Sequence, residues 1–301
     1  MSLEQAKQVF ISGPDRSRLA CRILGAHNPN TVILTSGIGC GPVFMHEIAR
    51  DLARDHRVVY WDFRSHGDSD LAPIGSGYEI HEHAGDLDKV VRAFARGEKP
   101  VMVGFSMGVQ VTVEWTRNNP DRADAFVFLL GLPRNPVHRT VLLRRPAARL
   151  ADGIATHAGP ALRFVQPATR ALLRTSITYA LAKRLGVIHP ACPRDEFLDF
   201  VRYATNIPHD AYLQCAAGLM RHDATDAFLR IHQPVYMVAA DGDVFISAEE
   251  CRSFAEQLPQ AKFELLTYAS HAGSIEYGRY FAGRIRKFLA GLKTGRESRA
   301  A

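Results

Sequence analysis

Short apolar runs alternate with amphipathic stretches over the first part of the chain. Four of the runs have interiors that are apolar without alternation, which is typical of strands that are buried on both faces of a sheet. They are residues 31–35, 57–62, 100–103 and 125–130. The stretches between them repeat apolar residues at helical spacing. These are residues 43–55, 80–96 and 109–118. The alternation predicts an α/β fold with a mostly parallel sheet and helices on both faces.

Two runs at the beginning, residues 9–12 and 19–24, are separated by the turn sequence Gly13–Asp15 and predict an antiparallel hairpin. The α/β rhythm then stops after residue 133, because residues 134–227 contain no strand pattern and read as helices interrupted by Pro and Gly.

Alternation resumes beyond residue 228, and a final helix is predicted over residues 276–292 with an irregular polar end after it. We therefore predict a core domain formed by residues 1–133 and 228–301. Residues 134–227 would form a helical cap, or lid, inserted into it.

Composition narrows the class of protein. The chain has 301 residues, of which 47% are hydrophobic, enough for a large core. Its five cysteines are scattered without a C-x-x-C pair, so we predict neither a disulfide scaffold nor a metal site. No apolar run is long enough to cross a membrane, and the first residues lack the apolar core of a signal peptide. These features predict a cytoplasmic protein.

The net charge of +6 is concentrated in the predicted cap. Residues 134–194 contain eleven Arg and Lys residues but a single acid, Asp152. No helix-turn-helix, zinc finger or RNA-binding aromatic motif accompanies this charge, so nucleic-acid binding is not predicted.

The sequence GFSMG at Gly104–Gly108 lies between a predicted strand and a predicted helix. A serine in such a sharp turn projects its hydroxyl above the edge of the sheet, and glycines are needed on both sides because a Cβ would collide with the neighbouring strand and helix. The Met107 N–H falls at the start of the helix, where it can bind an oxyanion. The motif therefore predicts a nucleophilic Ser106.

Three further motifs follow predicted strands. The sequence SGIGC occupies residues 36–40, and DFRSHGDS occupies residues 62–69. The third is a pair, ADGD at residues 240–243 and SHAG at residues 270–273. A serine hydroxyl becomes a good nucleophile when an imidazole removes its proton, and a carboxylate orients that imidazole. Carboxyl ends of parallel strands meet at one edge of the sheet, which would bring these loops together.

Together with the turn at Ser106, these motifs resemble those of the α/β-hydrolase superfamily in content and order over residues 8–292. The resemblance implies Ser106 as nucleophile, His271 as base and Asp243 as the acid that orients it. It also implies an oxyanion hole made of the backbone N–H groups of Ile38 and Met107. The glycines that give these loops their freedom are Gly37, Gly39, Gly104 and Gly108. This chain departs from many members of the family, because Ser36–Gly37 stands where they have His-Gly.

Other residues compete for these roles. Asp241 is the rival of Asp243, which is preferred because a short apolar stretch, residues 244–246, follows it as in the family. His66 is the nearest rival of His271 as the base. We expect Asp62 and Asp86 to fix loops or cap helices. Glu276 is expected to open the last helix, where its charge suits the helix dipole.

We therefore predict a serine hydrolase that cleaves a hydrophobic carboxylic ester or thioester through an acyl-Ser106 intermediate, without a cofactor. An acyltransferase or cyclase with the same triad is the first alternative, and a non-catalytic ligand-binding protein of this fold is the second. For the basic cap, three interpretations remain open: a solvated surface, docking of an acyl carrier protein or coenzyme A thioester, or peripheral contact with lipid.

The cap also contains apolar residues that we expect to face hydrophobic substrate or lipid. They are Leu142, Leu143, Leu150, Leu162, Phe164, Val165, Leu172, Leu173, Ile177, Tyr179 and Leu181.

Overall fold

The computed structural model describes residue 3 and residues 5–73, 77–135 and 164–300. Its strands form an eight-stranded sheet in the order β1-β2-β4-β3-β5-β6-β7-β8. The strands are β1 Lys7–Ser12, β2 Arg18–Leu24, β3 Thr31–Thr35, β4 Arg57–Trp61, β5 Val101–Phe105, β6 Ala125–Leu129, β7 Val235–Ala240 and β8 Ala261–Leu266. β1 and β2 form the predicted hairpin, and β2 also pairs antiparallel with β4. All remaining pairs are parallel, which confirms the predicted fold class.

The central strands β3 to β7 are buried along their whole length. Because successive side chains of a strand point to opposite faces, each strand contributes to two separate cores. In β5, Val101, Val103 and Phe105 join one core, whereas Met102 joins the other. This double burial explains why the strands are apolar runs without alternation.

Eleven α-helices are present in the described part of the chain. They are α1 His46–Leu52, α2 Ile80–Phe94, α3 Met107–Thr116, α4 (residues 164–173), α5 Ser176–Arg184, α6 Arg194–Asn206, α7 His209–Arg221, α8 Thr225–Phe228, α9 Ala248–Glu256, α10 Gly273–Glu276 and α11 Gly278–Ala300. The α1 and α11 helices pack together on one face of the sheet, and α2 packs with α3 on the other.

Two predicted helices differ from the observed ones. The predicted helix at 43–55 is a short 3-10 turn, Pro42–Phe44, followed by the shorter α1. In place of the predicted helix at 276–292, the backbone turns at Tyr277 between α10 and α11, and α11 continues to Ala300. The prediction of an irregular end beyond Leu292 is therefore wrong as far as Ala300.

Helices α4 to α8 lie between β6 and β7, where the sequence predicts a cap, and we call them the cap helices. Their buried apolar residues join both cores: Ala182, Phe197 and Val201 join one, together with Ile188 of the connecting segment, and Ala227 and Phe228 of α8 join the other. Residues 136–163, which include Leu142, Leu143, Leu150 and Leu162, lie outside the described residues.

The outer apolar residues of the cap helices do not face a pocket, contrary to one of our expectations. Phe164 is 85% exposed and Ile177 is 75% exposed, and none of the outer residues lines the cavity described below. The others are Val165, Leu172, Leu173 and Leu181. In α5, Tyr179 and Ala182 pack inward, and positions on the opposite side of that helix necessarily face outward.

Candidate active site

Ser106 occupies the turn between β5 and α3 in a strained backbone conformation, with φ 53° and ψ −120°. Such a conformation costs about 1–3 kcal/mol for a residue other than glycine and persists only where its surroundings enforce it. The flanking glycines permit the turn. A Cβ at Gly108 would lie 2.1 Å from the Thr35 carbonyl oxygen, and one at Gly104 would lie 2.7 Å from the Gly108 oxygen. The predicted need for glycines has a steric cause at both positions.

Ser106, His271 and Asp243 form a chain of hydrogen bonds. Ser106 Oγ lies 3.0 Å from His271 Nε2, and His271 Nδ1 lies 2.7 Å from Asp243 Oδ2. Ser106 does not cap α3 with its side chain, so its hydroxyl is free to interact with the imidazole. The three residues follow β5, β8 and β7, whose carboxyl ends converge at this edge of the sheet.

The Asp243 carboxylate is held firmly in place. It is buried, and Oδ1 accepts hydrogen bonds from the backbone N–H groups of Phe245 and Ile246 at 2.8 and 2.9 Å. This leaves Oδ2 for the imidazole. Asp241, its rival, is exposed and accepts a hydrogen bond from the Ala269 N–H at 3.4 Å. The geometry therefore favours Asp243 as the partner of His271.

Ile38 and Met107, the two predicted oxyanion donors, line the same cavity as Ser106 and His271. Met107 is the first residue of α3, and the first N–H groups of a helix have no partner within the helix. The loop that carries Ile38 is packed against the nucleophile, since a Cβ on Gly37 would lie 3.0 Å from Ser106 Cβ. Gly39 has φ +68°, and a Cβ there would lie 2.9 Å from the ring of Tyr212 on α7.

The cavity next to Ser106 has a volume of about 250 Å³. Most of its wall is apolar, and this wall comes from the core loops and the cap helices together. The apolar lining residues are Ile38, Phe44, Met107, Leu132, Val187, Ile188, Phe197, Phe200, Ala216, Leu219, Met220, Phe245, Ile246 and Ala272. A cavity of this kind can hold a small hydrophobic group beside the Ser106 hydroxyl.

Few polar side chains line the cavity besides Ser106 and His271. They are Cys40, Gln110, Arg134 and Tyr212. Burial holds the pKa of the Cys40 thiol far above its ordinary value, so it remains protonated and is a poor rival to Ser106. Arg134 forms an ion pair with Glu250 at 2.6 Å.

Asp62 connects the core to the cap below the loop that carries Ile38. Its buried carboxylate pairs with Arg22 at 2.7 Å and accepts a hydrogen bond from the hydroxyl of Tyr203, on α6, at 2.7 Å. Burial and the nearby Asp62 charge hold the pKa of Tyr203 well above its ordinary value, so the hydroxyl remains a donor. A Cβ on Gly41 would lie 2.6 Å from the Tyr203 ring, so only glycine leaves room for this contact.

Asp86 and His66 lie away from the cavity and have other partners. Asp86 accepts two hydrogen bonds from Arg64, each 2.8 Å long, so it fixes the loop that follows β4. His66 is buried, its Nδ1 donates to the Arg64 carbonyl at 3.0 Å, and burial lowers its pKa. His66 therefore does not compete with His271 in this arrangement.

The sequence predicts that Glu276 opens the last helix, and this is wrong. Glu276 ends the short helix α10. Its carboxylate instead accepts hydrogen bonds from Ser270 and from His189 of the cap. No local pattern marks Tyr203 or the cavity residues of the cap, because they lie far along the chain from Ser106.

Among residues 3, 5–73, 77–135 and 164–300, no three His, Cys, Asp or Glu side chains are grouped so that they could hold a metal ion. None of the helices in that part of the chain has the length and apolar composition needed to span a bilayer.

Comparison with known proteins identifies the family. Residues 30–276 match the family described as the alpha/beta hydrolase fold. The chain therefore belongs to the α/β-hydrolase family.

Three relatives show the range of proteins that resemble this chain. The proposed carbamate hydrolase RutD of Caulobacter sp. (strain K31) is 24% identical over 268 residues, covering 88% of this chain and 92% of that protein. The polyketide synthase ThaQ of Burkholderia thailandensis (strain E264) is 22% identical over 270 residues, or 88% of this chain but 12% of that protein. A thermophilic esterase from Thermogutta terrifontis has a TM-score of 0.75 at 20% identity, covering 95% and 99% of the two chains.

Proposed function

We propose that this protein is a serine hydrolase that cleaves a carboxylic ester or thioester carrying a small hydrophobic group. The observation that carries the proposal is the continuous hydrogen-bond chain from Ser106 Oγ through His271 to the buried Asp243 carboxylate, with its two distances of 3.0 and 2.7 Å. Each member then has a defined role in acyl transfer.

In the first step, Ser106 Oγ attacks the carbonyl carbon while its proton passes to His271 Nε2. Asp243 stabilises the imidazolium through Nδ1 and holds the ring in the tautomer that this transfer requires. Negative charge develops on the carbonyl oxygen, which the N–H groups of Ile38 and Met107 would bind. The tetrahedral intermediate collapses to acyl-Ser106 when His271 returns the proton to the leaving oxygen or sulfur.

In the second step, water attacks the acyl-enzyme with His271 again acting as base, and Ser106 is regenerated as the acid leaves. Every bond made or broken involves the side chains already described, so the proposed mechanism uses neither a metal nor an organic cofactor.

The cavity supports the choice of substrate class. Its volume of about 250 Å³ is small for a ligand pocket, which favours a short acyl chain or a small alcohol group over a long one. The names of the relatives add carbamates to the carbonyl compounds worth testing, since carbamate cleavage also begins with attack on a carbonyl.

Acyl transfer to an acceptor other than water is the second candidate, supported by the match to one segment of a polyketide synthase. The same triad would form the acyl-enzyme, and the acceptor would decide the product. An acyl carrier protein or coenzyme A thioester docking on the basic cap belongs to this proposal. Contact of the cap with lipid and a non-catalytic ligand-binding role remain untested predictions.

The proposal is tested with p-nitrophenyl esters and acyl thioesters of two to ten carbons, using the wild type and Ser106→Ala. We expect turnover of the short substrates, dependence on Ser106, and an acyl adduct detectable by mass spectrometry after rapid acid quenching. Turnover that persists in Ser106→Ala would contradict the mechanism. An adduct that forms but is released only by an added thiol or alcohol would favour acyl transfer.

A further inference from the structure

Glu276 accepts hydrogen bonds from two parts of the molecule, the loop of His271 and the cap segment between α5 and α6. Its Oε2 accepts from the Ser270 N–H at 2.9 Å, and its Oε1 accepts from the Ser270 hydroxyl at 2.6 Å. Oε1 also accepts from the backbone N–H of His189 at 2.7 Å. Three donors thus converge on one carboxylate.

These donors belong to two segments, the loop that carries His271 and the cap segment that follows Ile188. Ser270 directly precedes His271 and is buried. Its hydroxyl also accepts from the Ala272 N–H at 3.0 Å, and its carbonyl accepts from the Gly273 N–H at 3.1 Å. His189 lies between α5 and α6 and follows Ile188, which lines the cavity beside Ser106. Glu276 therefore joins the loop of His271 to a wall of the cavity.

The cap segment around His189 borders open space on two sides. A second cavity of about 380 Å³ lies on its other side, lined by Gly186, Ile188, His189 and Ser270 among others. Ile188 thus separates two open spaces, and Gly186 beside it adopts φ +69°. Ile188 itself is buried in the core, and the backbone N–H of the next residue, His189, donates to Glu276.

We propose that Glu276 is a positioning residue that couples the placement of His271 to closure of the cap wall at Ile188, an inference that rests on the proposed function. Through Ser270 it fixes the loop from which the imidazole reaches Ser106. Through His189 it fixes the wall that bounds the substrate. Glu276 contacts neither the substrate nor the reacting atoms.

The chemistry requires a carboxylate rather than an amide. Both Glu276 oxygens face N–H or O–H donors, and a carboxylate can accept from all of them because neither oxygen carries a proton. In Glu276→Gln, whichever position the NH₂ takes, it faces another donor. The substitution preserves shape, and either the histidine loop or the cap wall loses its acceptor.

Steady-state kinetics of Glu276→Gln and Glu276→Asp are the first test. Small displacements of a reacting group are costly, so we expect Glu276→Gln to lower kcat about 10- to 100-fold and Glu276→Asp to recover part of the loss. Glu264→Gln is the matched control, since Glu264 also accepts from several donors, including Tyr236 at 2.6 Å, and lines neither cavity. An equal loss of kcat in Glu264→Gln would overturn the proposal, as would a change of less than about twofold in Glu276→Gln.

The hydrogen bond from the cap to Glu276 is tested separately at His189. His189→Pro removes the N–H that donates to Glu276, whereas His189→Ala keeps it and removes only the side chain. We expect His189→Pro to raise KM several-fold relative to His189→Ala, because the wall at Ile188 loses its anchor. Equal KM values in the two variants would contradict the coupling of Glu276 to the cap.

Amide hydrogen exchange provides a readout that does not need catalysis. We expect Glu276→Ala, which removes the acceptor of both segments, to accelerate exchange in residues 268–272 and in residues 186–192 together. Faster exchange in one segment alone, or in neither, would overturn the coupling even if the enzyme were fully active. Conversely, joint acceleration in a protein that lacks serine-dependent turnover would uphold the coupling and refute the proposed function.

Discussion

The loops at the edge of the sheet and the cap helices are held in place by different kinds of interaction. Ser106, Asp243 and His271 follow strands in the parallel part of the sheet, where β5 and β7 are internal and β8 is the edge strand. Steric limits hold Ser106 in place, and backbone N–H groups hold Asp243. The cap is attached to the core by buried apolar contacts and by polar links between residues distant in sequence. Those links include Tyr203 to Asp62 and His189 to Glu276.

This difference separates chemistry from selectivity. Apart from the link through Glu276, the reacting groups depend on local backbone geometry that the strands enforce, so changes in the cap away from His189 should leave their arrangement largely intact. The cavity wall is shared, because Val187, Ile188 and Phe197 come from the cap segment. Substitutions at the sheet edge should therefore act on kcat, and substitutions in the cap should act mainly on KM.

The largest effect is expected for Ser106→Ala, which removes the nucleophile and leaves the fold unchanged. We expect turnover to fall by about three to six orders of magnitude, measured with the best ester substrate. The matched control is Ser36→Ala. The Ser36 hydroxyl is buried and has no hydrogen-bond partner in the described part of the chain, so its loss should change turnover little.

Replacement of the acid comes next. Asp243→Asn should lower kcat by about 10²- to 10⁴-fold, because the amide no longer holds His271 in the required tautomer. Asp241→Asn should change kcat less than about threefold, since the exposed Asp241 does not contact the imidazole. The reverse ranking of the two variants would show that the acid has been assigned to the wrong aspartate.

The free energy of unfolding should also depend more on substitutions in the central strands than on substitutions at the exposed face of the cap helices. Leu34 on β3 is fully buried, and Leu34→Ala should lower the free energy of unfolding by about 2–5 kcal/mol. Leu172 on α4 is 70% exposed, and Leu172→Ala should change it by less than about 0.5 kcal/mol. Urea unfolding of both variants provides the measurement. A comparable loss in Leu172→Ala would reveal that this face is covered in solution.

A smaller effect is expected at the link between α6 and the core. Tyr203→Phe removes the donor that Asp62 accepts at 2.7 Å, leaving a buried carboxylate with one partner fewer. We expect the free energy of unfolding to fall by about 1–3 kcal/mol and KM to rise, while kcat changes little. A drop in kcat larger than the rise in KM would indicate that the cap also positions the reacting groups.

The sequence predicts the sheet edge well because its signals are local. Apolar runs identify the strands, the glycines at 104 and 108 identify the turn at Ser106, and the strand order places the remaining loops. The catalytic roles of these residues remain proposals. The partners of Asp243 could be expected from the short stretch that follows it, whose N–H groups it accepts.

The cap could not be predicted to the same depth. Helical periodicity identifies apolar positions but not which of two apolar faces meets the core. We expected Ile177 and Leu181 to face substrate or lipid; they are exposed and do not line the cavity, and contact with lipid stays a prediction. Tyr203 and His189 find their partners 141 and 87 positions away in the chain, respectively. Contacts of that range depend on how the helices dock, which no local pattern encodes.

The central claim is that His271 and Asp243 activate Ser106. The most direct measurement is the rate of covalent labelling by a fluorophosphonate, with the modified peptide mapped by mass spectrometry, in the wild type, Ser106→Ala and His271→Ala. We expect one label on Ser106 in the wild type, none in Ser106→Ala, and a rate reduced by about three orders of magnitude or more in His271→Ala. A folded wild-type protein that is not labelled, or a label rate that is unchanged in His271→Ala, would contradict the account.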